Sequence, residues 1–522
     1  MTWAPPISLP NEFNAADYFI DRNIREGRSE KTAIECGEVK VSYGQLLSSV
    51  NQLGNGLKEL GVRMEERVLL LLLDTPEFAI SFFGAIKIGA VPVPVNTLLK
   101  PADYTYLFNN SRARVAIVSE SLLPLIESIS RNELCYLEKI VVVGGAPSAA
   151  NISFDDLLKS SSPKLDAART GKDDAAFWLY SSGSTGQPKG CVHLQHDMVV
   201  SAERYAKAIL KITAEDRFFS VAKLFFAYGL GNGLYFPLAV GATSILNPGP
   251  PRPQSVFETI ERYRPTLFFS VPSNYVRLLA HEAPPGQEFD LSSVRHGVSA
   301  GEALPASVFL RFKERFGVEI LDAIGSTEAL HMMISNVPGK VRPGSSGLIL
   351  PGFEAKIVDD NDRPVARGEV GNLIVKADST CACYWNEHEK SKAILAGEWL
   401  RTGDKYYQDP DEYYWYSGRS DDMVKVSGVW VSPIEIERVL SEHLAVQEVA
   451  VVFRQDADEL TKPVAFVVPR GGTVPSPQLG RELQEFVVTR LPVYKRPRWV
   501  EFLDELPKTA TGKVQRFRLR DL

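Results

Sequence analysis

Apolar residues recur at helical spacing between residues 42 and 60. Leu46, Leu47, Val50, Leu53, Leu57 and Leu60 fall on one face, and Gly61 follows. Such a stripe, closed by a glycine, predicts a helix over Ser42–Leu60 that buries one side. Val68–Leu73 is an unbroken aliphatic run ending at Asp74. It predicts a strand covered on both faces, and Thr75–Ile88 predicts the next helix. Similar short runs return at Val115–Val118, Ile140–Val143, Thr266–Val271 and Glu319–Ala323, with helical patterns between several of them. Strands alternating with helices predict an α/β fold of mainly parallel sheets flanked by helices.

Near residue 420 the texture changes. The polar segment Gly418–Asp422 separates two hydrophobic stretches. Beyond it, Glu435–His443 and Glu482–Leu491 read as helices, and Val449–Phe453 and Val464–Val468 as strands. We therefore expect a large domain over residues 1–420 and a small α+β domain over 421–522. The length of 522 residues agrees, since single cores stop growing at roughly 250–300 residues. No repeat of fixed period is present, and Pro248-Gly249-Pro250-Pro251 reads as a surface turn.

Charge narrows the partners. The chain carries 58 basic and 64 acidic residues, a net charge of −6. Such a balance exerts no bulk pull on nucleic acid or anionic membrane, so a polyanionic ligand needs a local site. The N-terminus lacks a basic stretch followed by an apolar one, and Val68–Leu73 is far short of the ~20 residues of a membrane span. The expectation is a cytoplasmic monomer or homodimer with no membrane or nucleic-acid partner. Five cysteines, an odd number, give no disulfide framework. Cys381 and Cys383 form a C-x-C pair without a second pair, and read as ordinary thiols.

The candidate chemistry begins at residues 180–190, Tyr-Ser-Ser-Gly-Ser-Thr-Gly-Gln-Pro-Lys-Gly, behind the strand-like Ala175–Leu179. Three glycines and four Ser or Thr hydroxyls in eleven positions let backbone amides approach a phosphate. Lys189 adds a cation. The spacing is not that of a Walker A loop, and by composition alone the segment reads equally as a surface loop.

Further segments follow in order: Ser299-Ala300-Gly301-Glu302-Ala303-Leu304-Pro305, Gly325-Ser326-Thr327-Glu328, Tyr384-Trp385, and Trp399-Leu400-Arg401-Thr402-Gly403-Asp404. Then come Gly418-Arg419-Ser420-Asp421-Asp422, Lys425-Val426-Ser427-Gly428 and Pro507-Lys508-Thr509-Ala510-Thr511-Gly512-Lys513. Together with the loop, this series resembles the adenylate-forming superfamily of acyl- and aryl-CoA ligases, luciferases and nonribosomal adenylation domains. The resemblance covers nearly the whole chain. It implies a large domain with a β-barrel-like part, a mobile small domain, and ATP, Mg²⁺ and coenzyme A as reactants.

The resemblance also implies roles. Ser181, Ser182, Gly183, Ser184, Thr185, Gly186 and Lys189 would cradle phosphate. Gly301, Glu302 and Ala303 would touch adenine, with Asp322 and Ile324 beside them, although most relatives carry a stacking Tyr where Ile324 stands. Thr327 would contact phosphate and Glu328 would hold Mg²⁺. Asp404 would accept from the ribose hydroxyls, and Arg419 would contact ribose or phosphate. Lys513 would bridge the carboxylate and the nucleotide. A carboxylate attacking an α-phosphate brings two anions together, so positive potential is needed where charge develops. Asp421 matches the family's hinge, and Lys425, Ser427 and Gly428 match the segment that moves into the CoA tunnel.

For the acid, Lys223–Gly231 is informative, because many relatives carry His where Phe226 stands. Phe226 and Tyr228 would form aromatic walls with Ala227 between them, though the same residues also read as a core strand. Together with Ala300, Gly325, His331 and Ile334, this stretch is similar to that of the benzoate–CoA ligase group, which includes amino- and hydroxybenzoate ligases. The resemblance implies a flat, mainly apolar slot for an aromatic carboxylic acid. The chain stops nine residues after Lys513, so no fused carrier domain is expected. Loading of a separate carrier protein and a non-catalytic nucleotide-binding homologue stay open as alternatives.

Overall fold

The computed structural model describes residues 4–145, 151–181, 187–283, 286, 288–419, 424–426, 429–456, 461–508, 514–520 and 522. The helix expected from Ser42 runs over Tyr43–Glu59. The Ser42 hydroxyl accepts from the Gln45 amide at 3.2 Å, and the Gln45 side chain accepts from the Ser42 amide at 2.8 Å. This reciprocal capping box satisfies two amides that the first turn leaves unpaired. Leu46, Val50, Leu53 and Leu57 are fully buried, each contributing about 1.5–3 kcal/mol by leaving water. The next helix, Pro76–Lys87, opens on a proline that needs no amide partner. At its end Lys87 is fully buried, donating to Asp21 at 2.7 Å and to Asn51.

Two large sheets follow from the aliphatic runs. A five-stranded sheet is parallel throughout, in the order Val91–Pro94, Arg67–Leu71, Val115–Ser119, Lys139–Val143, Ile152–Ser153. A nine-stranded sheet has six parallel central strands, from Ile320–Gly325 through His296–Ser299, Leu267–Ser270, Arg217–Ser220 and Thr243–Leu246 to Thr32–Cys36. Its three outer strands are antiparallel. A further antiparallel sheet spans Glu354–Val358, Gly371–Lys376, Trp399–Gln408 and Tyr414–Arg419.

Beyond residue 429, Val446–Gln455, Thr461–Pro469 and Trp499–Phe502 form a three-stranded sheet. The helices Pro433–Ser441 and Pro477–Val488 pack on it through Ile436, Leu440 and Leu483. The boundary expected at Asp421 lies outside the described residues. One local reading is corrected: Phe226–Tyr228 is not a core strand. Phe226 caps a short helix, Ala227–Leu230, that runs into a π-helical turn at Gly231–Tyr235. Among the described residues no helix is long and apolar enough to cross a membrane.

Candidate active site

The strands Ala175–Ser181 and Lys189–Leu194 pair antiparallel, with Ser181 opposite Lys189. They form the stem of the glycine- and serine-rich loop. Ser182, Gly183, Ser184, Thr185 and Gly186 lie outside the described residues, while Ser181 and Lys189 stand at the two feet. The stem is braced from the side. The Tyr106 hydroxyl donates to the Pro188 carbonyl at 2.9 Å, and that of Tyr180 to Asn110 at 2.7 Å.

Thr327 and Glu328 leave the end of strand Ile320–Gly325 in a tight turn. Leu330, buried, adopts φ 67° there, and its amide donates to the Thr327 carbonyl at 3.1 Å. A leucine in the left-handed region is strained and is held only by its surroundings. Glu328 Oε1 accepts from the Tyr384 hydroxyl at 2.7 Å, and the Glu328 carbonyl accepts from the Cys381 amide at 2.7 Å. Strand Cys383–Tyr384 in turn pairs with Lys189–Leu194, placing Tyr384 opposite Cys191. One small sheet therefore carries the phosphate-loop stem and grips the Thr-Glu turn.

Glu328 is half-buried and pairs with no cation among the described residues. A carboxylate held at one oxygen by the Tyr384 hydroxyl fits Mg²⁺, which takes one or two protein carboxylates and completes its shell with phosphate and water. Among the described residues no group of three or more His, Cys, Asp or Glu side chains forms a metal cage.

On the nucleotide side, strand His296–Ser299 delivers Ala300, Gly301, Glu302 and Ala303, with Gly301 at φ 94°. Asp322 is buried next to this segment and accepts from the Leu304 amide at 3.3 Å. Burial pushes its carboxyl up to about 8. Ile324 is half-buried on the same strand. Asp404 and Arg419 face each other across a strand pair, 3.2 Å apart, and Arg419 also donates to the Thr402 carbonyl at 3.0 Å. The Glu302 carboxylate accepts from the Val514 amide at 2.9 Å. The C-terminal segment thus reaches the segment expected at adenine. Lys513, Asp421, Ser427 and Gly428 lie outside the described residues, and Lys425 belongs to strand Val424–Val426.

On the acid side, Ala227 and Ile334 are buried, and the Tyr228 hydroxyl lies 3.1 Å from both the Ser270 and Val298 carbonyls. His331 is buried in an aromatic cage. Its ring lies 4.5 Å from Phe236, 5.4 Å from Tyr205, 5.8 Å from Tyr228 and 6.5 Å from Tyr235. Burial among these rings lowers its pKa to about 3, so the imidazole is neutral. Among the described residues, the buried His331 Nδ1 has no hydrogen-bond partner.

Tyr205, Asn232, Tyr235 and Phe236 escaped the sequence reading. Tyr205 sits in the π-helical segment Ala202–Lys207, and Asn232 and Tyr235 in Gly231–Tyr235. Their spacing therefore departs from 3.6 residues, and π-helical turns mark functional sites. Gly325 packs directly beneath His331, and a side chain there would collide with the His331 carbonyl.

A phosphate-loop stem, a Thr-Glu turn braced by the stem's own small sheet, Asp404 paired with Arg419 on the antiparallel sheet, and an aromatic pocket around His331 together define an adenylate-forming enzyme. Residues 20–385 match the AMP-binding enzyme family, and residues 435–513 match the AMP-binding enzyme C-terminal domain. The chain belongs to this family. It is 48% identical over 518 residues to a benzoate–CoA ligase of Thauera aromatica, covering 99% of this chain and 97% of that one. The crystal structure of an anthranilate CoA ligase in complex with anthranoyl-AMP superposes with a TM-score of 0.94 at 46% identity, covering 98% of each chain. That of a benzoate CoA ligase from Burkholderia xenovorans superposes at 0.90 with 45% identity, covering 97% of this chain and all of that one.

Proposed function

We propose that the protein is an AMP-forming aryl-CoA ligase for benzoate or a substituted benzoate, such as 2-aminobenzoate or a hydroxybenzoate, working in the cytoplasm where ATP and CoA are supplied. The observation that carries this reading is the shared turn between the two halves of the site. Thr327 and Glu328 contact the strand that leaves the phosphate loop, and His331, three residues on, sits among the aromatic rings. A ring acid seated there would present its carboxylate beside the nucleotide phosphates.

In the first half-reaction the carboxylate oxygen attacks the α-phosphorus of ATP and pyrophosphate leaves. The amides and hydroxyls of residues 181–186 and Lys189 would hold the phosphates, Asp404 would accept from the ribose hydroxyls, and Lys513 would bridge the two reacting anions. These groups supply positive potential where negative charge develops. Mg²⁺, held by Glu328 and the phosphates, would neutralise part of that charge. In the second half-reaction the CoA sulfur attacks the acyl carbon and AMP leaves with the bonding pair. Residues 421–428 would serve as hinge and thiol channel.

The test is product analysis with ATP, Mg²⁺, CoA and a panel of benzoate, 2-aminobenzoate and the hydroxybenzoates. AMP and the aryl-CoA are expected with at least one acid. Absence of both across the panel overturns the reading. Aryl-AMP that CoA does not discharge assigns the second step to a carrier protein instead.

A further inference from the structure

The roles above leave Tyr384 without a task, although it sits where the two phosphate-contacting segments meet. It is buried on the short strand Cys383–Tyr384, opposite Cys191 on the strand that leaves the phosphate loop. Its hydroxyl donates to Glu328 Oε1 at 2.7 Å. Cys191 Sγ lies 3.9 Å from the same oxygen. On the other side, Lys189 Nζ stands 5.1 Å from the centre of the Tyr384 ring, a cation resting on a π face. One side chain thus touches the loop lysine with its ring and the Thr-Glu turn with its hydroxyl.

A glutamate at a half-buried site has three rotatable bonds, and an untethered carboxylate spends much of its time turned away from any ligand. Anchoring one oxygen leaves the other pointing in one direction. We propose that Tyr384 is a positioning residue that fixes the Glu328 carboxylate for Mg²⁺–ATP and ties its setting to the position of Lys189. The inference rests on the reading of Glu328 as the Mg²⁺ ligand. Outer partners that orient a metal ligand commonly account for about 10–100-fold in metal affinity.

The test uses Tyr384→Phe, which keeps the ring and the lysine contact and removes only the hydroxyl. Calorimetry of ATP binding across a Mg²⁺ titration, without acid, reads the effect apart from turnover. A roughly 10–100-fold higher Mg²⁺ midpoint is expected, with ATP affinity in EDTA unchanged. A wild-type Mg²⁺ midpoint overturns the proposal. Should the phenylalanine variant not fold, Tyr384→His keeps an aromatic ring and lacks the phenol, and a wild-type Mg²⁺ midpoint there overturns the proposal equally. Glu328→Gln is measured alongside. If it shifts the midpoint and Tyr384→Phe does not, only the role of Tyr384 fails. If neither shifts it, the assignment of Glu328 fails as well.

Discussion

His193 Nε2 lies 2.8 Å from the carbonyl oxygen of Thr327, a residue 134 positions away in the chain. Its other ring nitrogen lies 2.8 Å from the Asp197 carboxylate, which also accepts from the Leu194 amide at 3.0 Å. His193 and Asp197 are both fully buried, and the Phe177 ring stacks on the imidazole at 5.2 Å. Each ring nitrogen has an acceptor in front of it, so the ring cannot turn without losing a bond. The pair therefore fixes the carbonyl of the residue expected at phosphate. His193→Ala is expected to slow ATP–pyrophosphate exchange by about 10–100-fold, with a raised KM for ATP. His193→Gln, which keeps a donor toward Thr327, is expected to lose less. Equal losses in the two variants would reduce His193 to a packing role.

The parts of this molecule that sequence makes legible are those governed by simple periods. The helix at Tyr43–Glu59 and the strands at 67–71, 115–119 and 139–143 appear within two residues of where the apolar pattern places them. Loop, Thr-Glu turn, Asp404 and Arg419 stood out in the sequence only through the order of their motifs; residues 182–186 of the loop lie outside the described residues, and the fold brings Asp404 and Arg419 face to face. The aromatic cage was not legible. Tyr205 and Tyr235 come from π-helical segments, where helical spacing fails, and they meet His331 only after the chain has crossed the sheet. Lys87 reads as an ordinary basic residue at a helix end, and nothing local reveals that Asp21 and Asn51 take it into the core. The strand alternative for Phe226–Tyr228 failed for a different reason, because a short apolar run does not distinguish strand from helix.

Gly231 is required by its neighbour. A Cβ at this position would lie 2.5 Å from His331 Cδ2 and 2.7 Å from its Nε2. Gly231→Ala must displace the His331 imidazole, which belongs to the pocket proposed for the acid. Overpacking of this kind costs about 1–3 kcal/mol of stability. The expected kinetic signature is a raised KM for the aromatic acid with the KM for ATP unchanged. Steady-state kinetics with each substrate varied in turn checks this, and a matching rise in both constants would contradict it.

The role proposed for Lys513 separates the two half-reactions. Lys513→Ala should lower aryl-AMP formation by about 10²–10³, because the positive charge between carboxylate and nucleotide is gone. Thioester formation from supplied aryl-AMP and CoA needs no such bridge and should be retained. Rapid-quench measurement of each half-reaction checks the split, and equal loss in both would contradict it.

The buried imidazole also predicts a dependence of stability on pH. His331 has its pKa lowered by burial from 6.5 to about 3, so between those values the unfolded chain binds a proton that the folded one does not. Stability from this group is full above pH 6.5 and falls as pH drops toward 3, by up to about 1.4 kcal/mol per pH unit. The tyrosines around it do not titrate in this range, since burial pushes the Tyr205, Tyr228 and Tyr235 phenols upward. Asp322 acts in the opposite sense. Its carboxyl is raised from 3.8 to about 8, so its contribution is full below pH 3.8 and is lost as pH rises to 8. Over the shared window of pH 3.8–6.5 the two slopes oppose each other, and the wild-type protein should show a shallow profile there. His331→Gln removes one of them. The difference in unfolding free energy between this variant and wild type should therefore move in favour of the variant as pH falls from 6.5 to 4. Above pH 6.5 it should stay constant. Denaturant titrations at half-unit pH steps measure it, and a difference independent of pH would show that His331 titrates alike in the folded and unfolded chains.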